Sequence, residues 1–147
     1  MPNSAPMRTT NFVLPHDEVI AWATDLYRTA VDNKDAAGFA ASFTPDGWLR
    51  FGNAPPIVGR DAIREAIAGF FGSFAALRHE STGTYLVGDT LILEATVTYT
   101  RHDGREVSVP AVTIFRFASG VDSDALHPRA DQCRIYVDLT PLYAPAT

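Results

Sequence analysis

The second half of the chain contains four segments rich in β-branched and aromatic residues, and these segments restrict the fold most. They cover residues 76–87, 90–101, 106–118 and 132–140. Gly88-Asp89 separates the first two segments, and His102-Asp103-Gly104 separates the next two. Because Asp and Gly tolerate the positive φ angles of tight hairpin turns, the sequence predicts that these consecutive strands pair antiparallel.

The first half of the chain has helical periodicity instead. Apolar residues recur at helical spacing over 15–33 and 62–71, and Asp35 is placed to cap a short helix that ends at about residue 43. A turn over 44–47, a strand over 48–51 and a proline-containing loop over 53–56 follow. Three helices followed by strands predict one α+β domain over 15–147, after a flexible segment over 1–14 and with a long exposed loop over 119–131.

Composition excludes several classes of partner. The formal net charge is −5 and no cluster of basic residues occurs, so we expect neither a nucleic-acid surface nor an anionic-membrane surface. The single cysteine, Cys133, cannot form an internal disulfide, and we expect no leader or membrane segment and a cytoplasmic location. The histidines and aspartates lack metal-ligand spacing and no phosphate-binding glycine loop occurs, so the sequence predicts no metal and no cofactor.

Three local segments resemble the SnoaL-like branch of the NTF2-like superfamily. They are residues 27–38 (YRTAVDNKDAAG), 58–67 (VGRDAIREAI) and 134–142 (RIYVDLTPL). The resemblance implies a cone, in which a curved antiparallel sheet and three N-terminal helices surround a pocket. That superfamily contains ketosteroid isomerases, polyketide cyclases, epoxide hydrolases and dehydratases, as well as proteins that bind without catalysis, so the fold alone does not give the function.

The residues of a ketosteroid isomerase carry over only in part. Tyr27 matches the tyrosine that stabilises the enolate, whereas Phe51 falls at the position of the aspartate base and Thr113 at that of the second acid. The epoxide hydrolase pattern is also incomplete, because Arg101 and Asp103 lie at a hairpin turn and Ile135 falls where another aspartate is expected. Any chemistry must therefore come from a different set of residues.

Asp138 is the carboxylate that the sequence makes a candidate acid or base. It lies in an otherwise apolar strand and shares one face with Arg134 and Tyr136. If that face lined an apolar pocket, desolvation would raise the pKa of Asp138 toward neutrality. The alternative is a carboxylate that pairs with Arg134 or caps the turn at Thr140-Pro141.

Tyr27 and His79 complete the candidate catalytic set. Tyr27 lies on the apolar stripe of the first helix, where its hydroxyl would donate a hydrogen bond to a developing oxyanion. His79 would carry a proton, with Asp138 as its expected partner in a pair of the dehydratase type. The alternatives are a core tyrosine bonded to a neighbour and a histidine at the surface.

Aromatic residues supply the expected pocket lining. The candidate substrate-binding residues are Trp48, Phe51, Phe70, Phe74, Thr113, Phe115 and Tyr136. Thr96, Thr98 and Thr100 share one strand face, which could be a pocket wall, a solvated face or a dimer surface. Ile135 and Val137 would lie on the outer sheet face, where a homodimer would cover them.

These residues favour a cofactor-free enzyme that acts on a small apolar or polyketide-like molecule by general acid/base proton transfer. The reaction would be an isomerisation, cyclisation, dehydration or hydrolysis, and not standard ketosteroid isomerisation. The alternative is a non-catalytic domain that binds a small ligand or serves dimerisation.

Overall fold

A computed structural model describes residues 16–118 and 128–145 of the chain. The flexible segment expected over 1–14 lies outside the described residues, as does most of the loop expected over 119–131. Within the described part, the α+β architecture expected from the sequence is confirmed.

The helices lie mainly in the first half. They are α1 (His16–Leu26), α2 (Ala36–Ala40), α3 (Arg60–Gly72) and α4 (Thr140–Tyr143). Helix α1 continues directly into one turn of π-helix, Tyr27–Val31, called here the π-turn. The predicted cap of α2 is confirmed, because the Asp35 carboxylate accepts a hydrogen bond from Gly38 N–H at 3.0 Å. Helix α4 was not expected, since four residues are too few to show helical periodicity.

In the part of the chain that the structure describes, six strands form one sheet. They are β1 (Phe43–Phe51), β2 (Ile57–Val58), β3 (Ala76–Val87), β4 (Thr90–Thr100), β5 (Glu106–Phe117) and β6 (Ala130–Val137), in the order β2-β1-β6-β5-β4-β3. The predicted antiparallel pairing of the last four strands is confirmed. Gly88 and Gly104 have φ angles of 61° and 86° in the two hairpin turns. Strand β1 instead pairs parallel with β6 and begins five residues earlier than expected, because Phe43 pairs with Ala130 ahead of an irregularity in the ladder.

Helices α1 and α3 pack on the concave face of the sheet. Trp22 of α1 contacts the rings of Phe115 and Phe117 edge-on, at centroid distances of 5.3 and 4.8 Å. Helix α3 buries a stripe of Ile63, Ile67 and Phe71. Each fully buried side chain of this kind contributes about 1.5 to 3 kcal/mol to folding. This packing fixes α1 and the π-turn across strands β3 to β5.

The faces of β6 are the reverse of the sequence-based expectation. Ile135 and Val137 point inward and line a pocket, whereas Tyr136 is 41% exposed and accepts a hydrogen bond from Arg50 on the outer face. Ile135 and Val137 therefore cannot form the expected dimer surface. The physical reason is strand alternation, since the buried Cys133 places Ile135 and Val137 on its own, core-facing side.

Candidate active site

A cavity of about 350 Å³ opens between α1, the π-turn and strands β3 to β5. We call it the outer cavity. Its apolar wall includes Ile20, Ala23, Leu93, Ala95 and Ala111. Its polar groups include Thr24, Tyr27, Arg28, Asp32, His79, Ser81, Thr84, Glu94 and Thr113. A largely apolar wall with a few convergent polar groups is typical of a site for a small organic molecule.

A second space of about 50 Å³, the inner pocket, lies deeper in the core. Its walls are mostly aromatic and aliphatic, and include Phe51, Phe70, Phe71, Tyr99, Ile135 and Val137. Tyr27, His79, Ala111 and Thr113 line both spaces. These four residues therefore form the junction between the outer cavity and the inner pocket.

The π-turn brings Tyr27 and Asp32 to the same side of the chain. The Asp32 N–H donates to the Tyr27 carbonyl at 2.8 Å, which is the i to i+5 bond of a π-helix. In an α-helix, residues five positions apart point about 140° away from each other. The wider turn reduces this angle, and both side chains line the outer cavity.

Asp32 and His79 form a closely bonded pair. Asp32 Oδ1 lies 2.7 Å from His79 Nδ1, and Asp32 Oδ2 accepts the His79 backbone N–H at 3.1 Å. The two side chains are only 24% and 18% exposed. Because a carboxylate oxygen accepts, Nδ1 is the donor in this contact. The pair thus orients the ring and leaves Nε2 as the nitrogen available to a bound molecule.

Tyr27 lies against this pair. Its ring centroid is 4.6 Å from that of His79, at an interplanar angle of 60°. Burial raises the pKa of Tyr27 well above its ordinary value, and nearby Cys133 and Asp32 raise it further, whereas Thr113 opposes the rise. Tyr27 therefore stays protonated and can act as a hydrogen-bond donor, but not as a base.

Comparison with known proteins assigns the chain to a family. The family model for the SnoaL-like domain matches residues 23–121, which include Tyr27, Asp32, His79 and Thr113. The chain belongs to the SnoaL-like domain family. No curated protein matches the chain.

Solved structures share the fold of this SnoaL-like domain. An NTF2-like protein of unknown function from Burkholderia pseudomallei K96243 has a TM-score of 0.70 and 18% identity, over 85% of this chain and 94% of that chain. A putative SnoaL-like polyketide cyclase from Jannaschia sp. CCS1 has a TM-score of 0.68 and 21% identity, over 88% and 94%. ActVI-ORFA from Streptomyces coelicolor has a TM-score of 0.69 and 22% identity, over 83% and 96%.

Asp138, the carboxylate favoured by the sequence, does not lie at the cavity of the SnoaL-like domain. It is exposed, and its Oδ1 accepts the Thr140 backbone N–H at 3.0 Å. Hydrogen bonds from the Thr140 side chain and backbone lower the pKa of Asp138, opposite to the expected rise. The expectation that Asp138 faces the pocket is wrong, and so is its expected pairing with His79. The alternative, in which Asp138 caps the turn at Thr140-Pro141, is the one that the geometry supports.

The other sequence-derived candidates divide into three groups. Phe51, Phe70 and Thr113 line the inner pocket as expected. Phe74 and Phe115 are fully buried in the core, where Phe74 packs against Phe70 and Tyr99 at centroid distances of 5.1 and 4.9 Å. Trp48 and Tyr136 lie on the side of the sheet away from the pocket, since Trp48 pairs with Val58 and Gln132 and alternates with the inward Leu49.

Other residues singled out in the sequence have structural partners. Arg101 binds Asp103 and also donates to the carbonyls of Leu142 and Ala144, so this pair ties the β4–β5 turn to the C-terminal segment. Thr98 bonds Ser108 at 2.8 Å on the outer face, which excludes the pocket-wall interpretation for this residue.

Within 16–118 and 128–145, no three His, Cys, Asp or Glu side chains lie close enough to hold a metal ion. In the same ranges, no helix has the length and apolar character needed to cross a membrane.

Asp32 is the site residue that sequence reasoning missed. It follows the apolar residues Ala30 and Val31, at a position that an uninterrupted α-helix would turn away from Tyr27. The π-turn lies at the end of the helix, so the helical spacing of the apolar residues before it gives no sign of the wider turn. The sequence signal for this site residue was the position of Asp32, five residues after Tyr27. That spacing indicates a shared face only if the helix contains a π-turn.

Proposed function

We propose that this SnoaL-like domain is a cofactor-free enzyme that moves a proton on a small apolar or polyketide-like carbonyl compound. The observation that carries the proposal is the Asp32–His79 pair at the junction of the two spaces, with the Tyr27 ring in edge-on contact with His79. His79 is the base, Asp32 orients and stabilises it, and Tyr27 is the hydrogen-bond donor.

The chemistry follows from these positions. Nε2 of neutral His79 takes a proton from the carbon next to the substrate carbonyl, and the electron pair of the broken C–H bond forms an enolate. The Asp32 carboxylate stabilises the resulting imidazolium, while the Tyr27 hydroxyl donates to the enolate oxygen. The imidazolium then returns its proton to another carbon in isomerisation or to a leaving hydroxyl in dehydration. Attack of the enolate carbon on a second carbonyl of the same molecule would give cyclisation, in which the imidazolium protonates the alkoxide that forms.

The shape of the site supports an apolar substrate. The outer cavity is large enough for a bicyclic molecule, and the junction residues separate it from a narrow aromatic pocket that accepts only a small apolar group. One structural neighbour is described as a putative SnoaL-like polyketide cyclase. That description agrees with the proposed substrate class, although the identity of 21% reflects a shared fold.

The non-catalytic alternative has one observation in its favour. Both positions at which a ketosteroid isomerase carries an aspartate are held here by Phe51 and Thr113, and both residues line the inner pocket. Under this alternative the site would bind a small apolar molecule, and the Asp32–His79 pair would only hold the π-turn to β3.

The test uses 2-tetralone, a bicyclic ketone with an acidic methylene group. Enzyme-dependent replacement of its C1 protons is followed by NMR in D₂O, against buffer alone. We expect the wild-type domain to accelerate exchange and His79→Gln to abolish the acceleration, while His16→Gln at the exposed start of α1 leaves it unchanged. Binding of 2-tetralone without faster exchange would support the alternative, and equal exchange by His79→Gln would eliminate His79 as the base.

The expected homodimer stays a proposal, still through the outer face of the sheet but with other residues in place of Ile135 and Val137. The outer face of the sheet carries the exposed Tyr85 and Tyr136, with Ile92, Val112 and Ile114 between them in register. We propose that a second copy covers this face. Light scattering should give the dimer mass for the wild-type domain and the monomer mass for Tyr136→Asp.

A further inference from the structure

Lys34, the only lysine in the sequence, has an unusual backbone conformation. Its φ angle is 58°, in the left-handed region that glycine adopts without steric cost. Lys34 N–H donates to the Val31 carbonyl at 3.0 Å, and Asp35 N–H donates to the Ala30 carbonyl at 2.8 Å. These two bonds form a Schellman motif, where glycine is the usual residue. A lysine at a position that favours glycine indicates that its side chain makes contacts that glycine cannot make.

The Lys34 side chain reaches the segment that leads into β3. Its ammonium donates to the Phe74 carbonyl at 2.8 Å and to the Ala75 carbonyl at 3.2 Å, and lies 5.7 Å from the centre of the Phe74 ring. Strand β3 begins at the next residue and carries His79. Lys34 therefore bonds a short stretch of chain that ends four residues before the catalytic histidine.

Asp32 and Lys34 bind one turn of chain, residues 32–34, to residues 74–79. We call residues 32–34 the Asp32 turn. Asp32 binds His79, and Lys34, two residues later, binds the carbonyls of Phe74 and Ala75. Asn33 points elsewhere and donates to the carbonyls of Arg28 and Thr29 in the π-turn. The chain after the π-turn is thus held at two points against the beginning of β3.

We infer that Lys34 is a positioning residue, which holds the Asp32 turn against β3 so that Asp32 keeps its bond to His79 Nδ1. Its effect on turnover rests on the proposed function, whereas its effect on the Asp32–His79 bond does not. Loss of the ammonium frees one of the two attachment points. The carboxylate of Asp32 then samples positions in which Nδ1 exchanges its proton with water.

The test follows the Nδ1 proton of His79 by NMR. A hydrogen-bonded ring N–H in a protected site gives a downfield signal, which is assigned by its absence from His79→Gln. In Lys34→Met the unbranched stem and the backbone preference are retained but the ammonium is lost. We expect the signal to broaden or disappear, with kcat for 2-tetralone exchange about 10- to 100-fold lower and KM nearly unchanged. Lys34→Arg, which keeps a cationic donor, should retain the signal.

Controls separate positioning from folding. Arg105→Met removes an exposed cation at the β4–β5 turn and should change neither the signal nor kcat. If Lys34→Met does not fold by circular dichroism, Lys34→Gly replaces it, because the backbone there favours glycine. A full-strength signal in the folded variant would overturn the inference, as would its absence from the wild-type domain. Absence of exchange by the wild-type domain with the signal intact would overturn the proposed enzyme and leave the role of Lys34 in the pair standing.

Discussion

Asp32 and Asp138 both follow a regular element, the π-turn and strand β6, but their carboxylates act over different ranges. Asp138 bonds Thr140, two residues ahead, and is exposed. Asp32 bonds His79, 47 residues away, inside the outer cavity. The difference shows that a local hydrogen bond accounts for the position of the Asp138 carboxylate, whereas the long-range bond of Asp32 orients the ring of a histidine in a cavity. Under the proposed function, that histidine is the base. The predictions below test this contrast.

The largest effect is expected from the two aspartates themselves. Asp32→Asn removes the negative charge that would stabilise the His79 imidazolium and lets the amide group donate to Nδ1, so kcat for 2-tetralone exchange should fall about 10²- to 10⁴-fold. Asp138→Asn is the matched control and should change kcat by less than about twofold, since surface changes away from a site have small effects. Exchange rates measured by NMR compare the two. A larger loss from Asp138→Asn than from Asp32→Asn would reverse the roles assigned here.

Tyr27→Phe tests the donor beside the pair. Removing one hydrogen-bond donor to an oxyanion lowers kcat by about 10²- to 10³-fold. The phenylalanine ring should keep the contact with His79. Tyr143→Phe removes an exposed hydroxyl and serves as the control. An unchanged kcat in Tyr27→Phe would show that the enolate oxygen points away from Tyr27.

Tyr27 and Tyr99 predict an alkaline effect on stability. Desolvation raises the pKa of Tyr27, while the side chains of Tyr27 and Tyr99 would both ionise near pH 10 in the unfolded chain. Burial raises the pKa of Tyr99 to about 12. The unfolded state then releases protons that the folded state keeps, so the free energy of unfolding should fall as pH rises above about 10. Urea midpoints at pH 9 and 11 should differ less for Tyr27→Phe than for wild type.

Gly38→Ala tests the cap that follows the Asp32 turn. A Cβ at position 38 would meet Asp35 Oδ2 at 2.5 Å and displace the carboxylate that caps α2. Loss of such a cap costs about 1 kcal/mol, visible in the urea midpoint. Gly69→Ala, where a Cβ meets open space in α3, is the control and should be neutral or stabilising. Equal destabilisation of both variants would show that the cap contributes nothing.

The smallest expected effect is the change in the stability contribution of Asp138 at low pH. Hydrogen bonds from Thr140 lower the pKa of Asp138 in the folded state. Its contribution to stability is therefore present above about pH 4, the value for an unfolded aspartate, and is lost as pH falls through the lowered folded pKa. Asp138→Ala should be slightly less stable than wild type at pH 6 and should converge with it in strong acid. Thermal unfolding at both pH values measures the difference.

The fold could be read from the sequence because its signals are local. The hairpin turns at Gly88 and Gly104 and the cap at Asp35 each depend on a few neighbouring residues, and the bounds of β3 match the prediction over 76–87. Strand β2 and helix α4 were missed because two and four residues carry no periodicity. The parallel pairing of β1 with β6 joins distant segments, which no local pattern encodes.

The candidate site was predictable only in part. Tyr27, His79 and Thr113 line the cavity as expected, while the catalytic roles of Tyr27 and His79 and the substrate-binding role of Thr113 stay predictions. The placement of Asp138 was wrong because the two faces of β6 were interchanged. Cys133, Ile135 and Val137 form the more apolar alternate set, and assigning that set to the core would have turned Asp138 outward. Asp32 could be predicted as a site residue only if the π-turn were known, and no local sequence pattern predicts that turn.

The parallel pairing of β1 and β6 also has a consequence for when the site can form. Strands β3 to β5 are joined by tight hairpins and can assemble from neighbouring chain, whereas β1 finds its partner only after β6 has been synthesised. Helix α3 packs on β1, α2 packs on α3, and the π-turn that precedes Asp32 packs on α2, so these contacts gain their full support at that stage. We therefore expect His79 to be in a formed strand before Asp32 docks on it. A ribosome-bound chain that ends before residue 130 should lack the protected Nδ1 proton, however well its hairpins have folded.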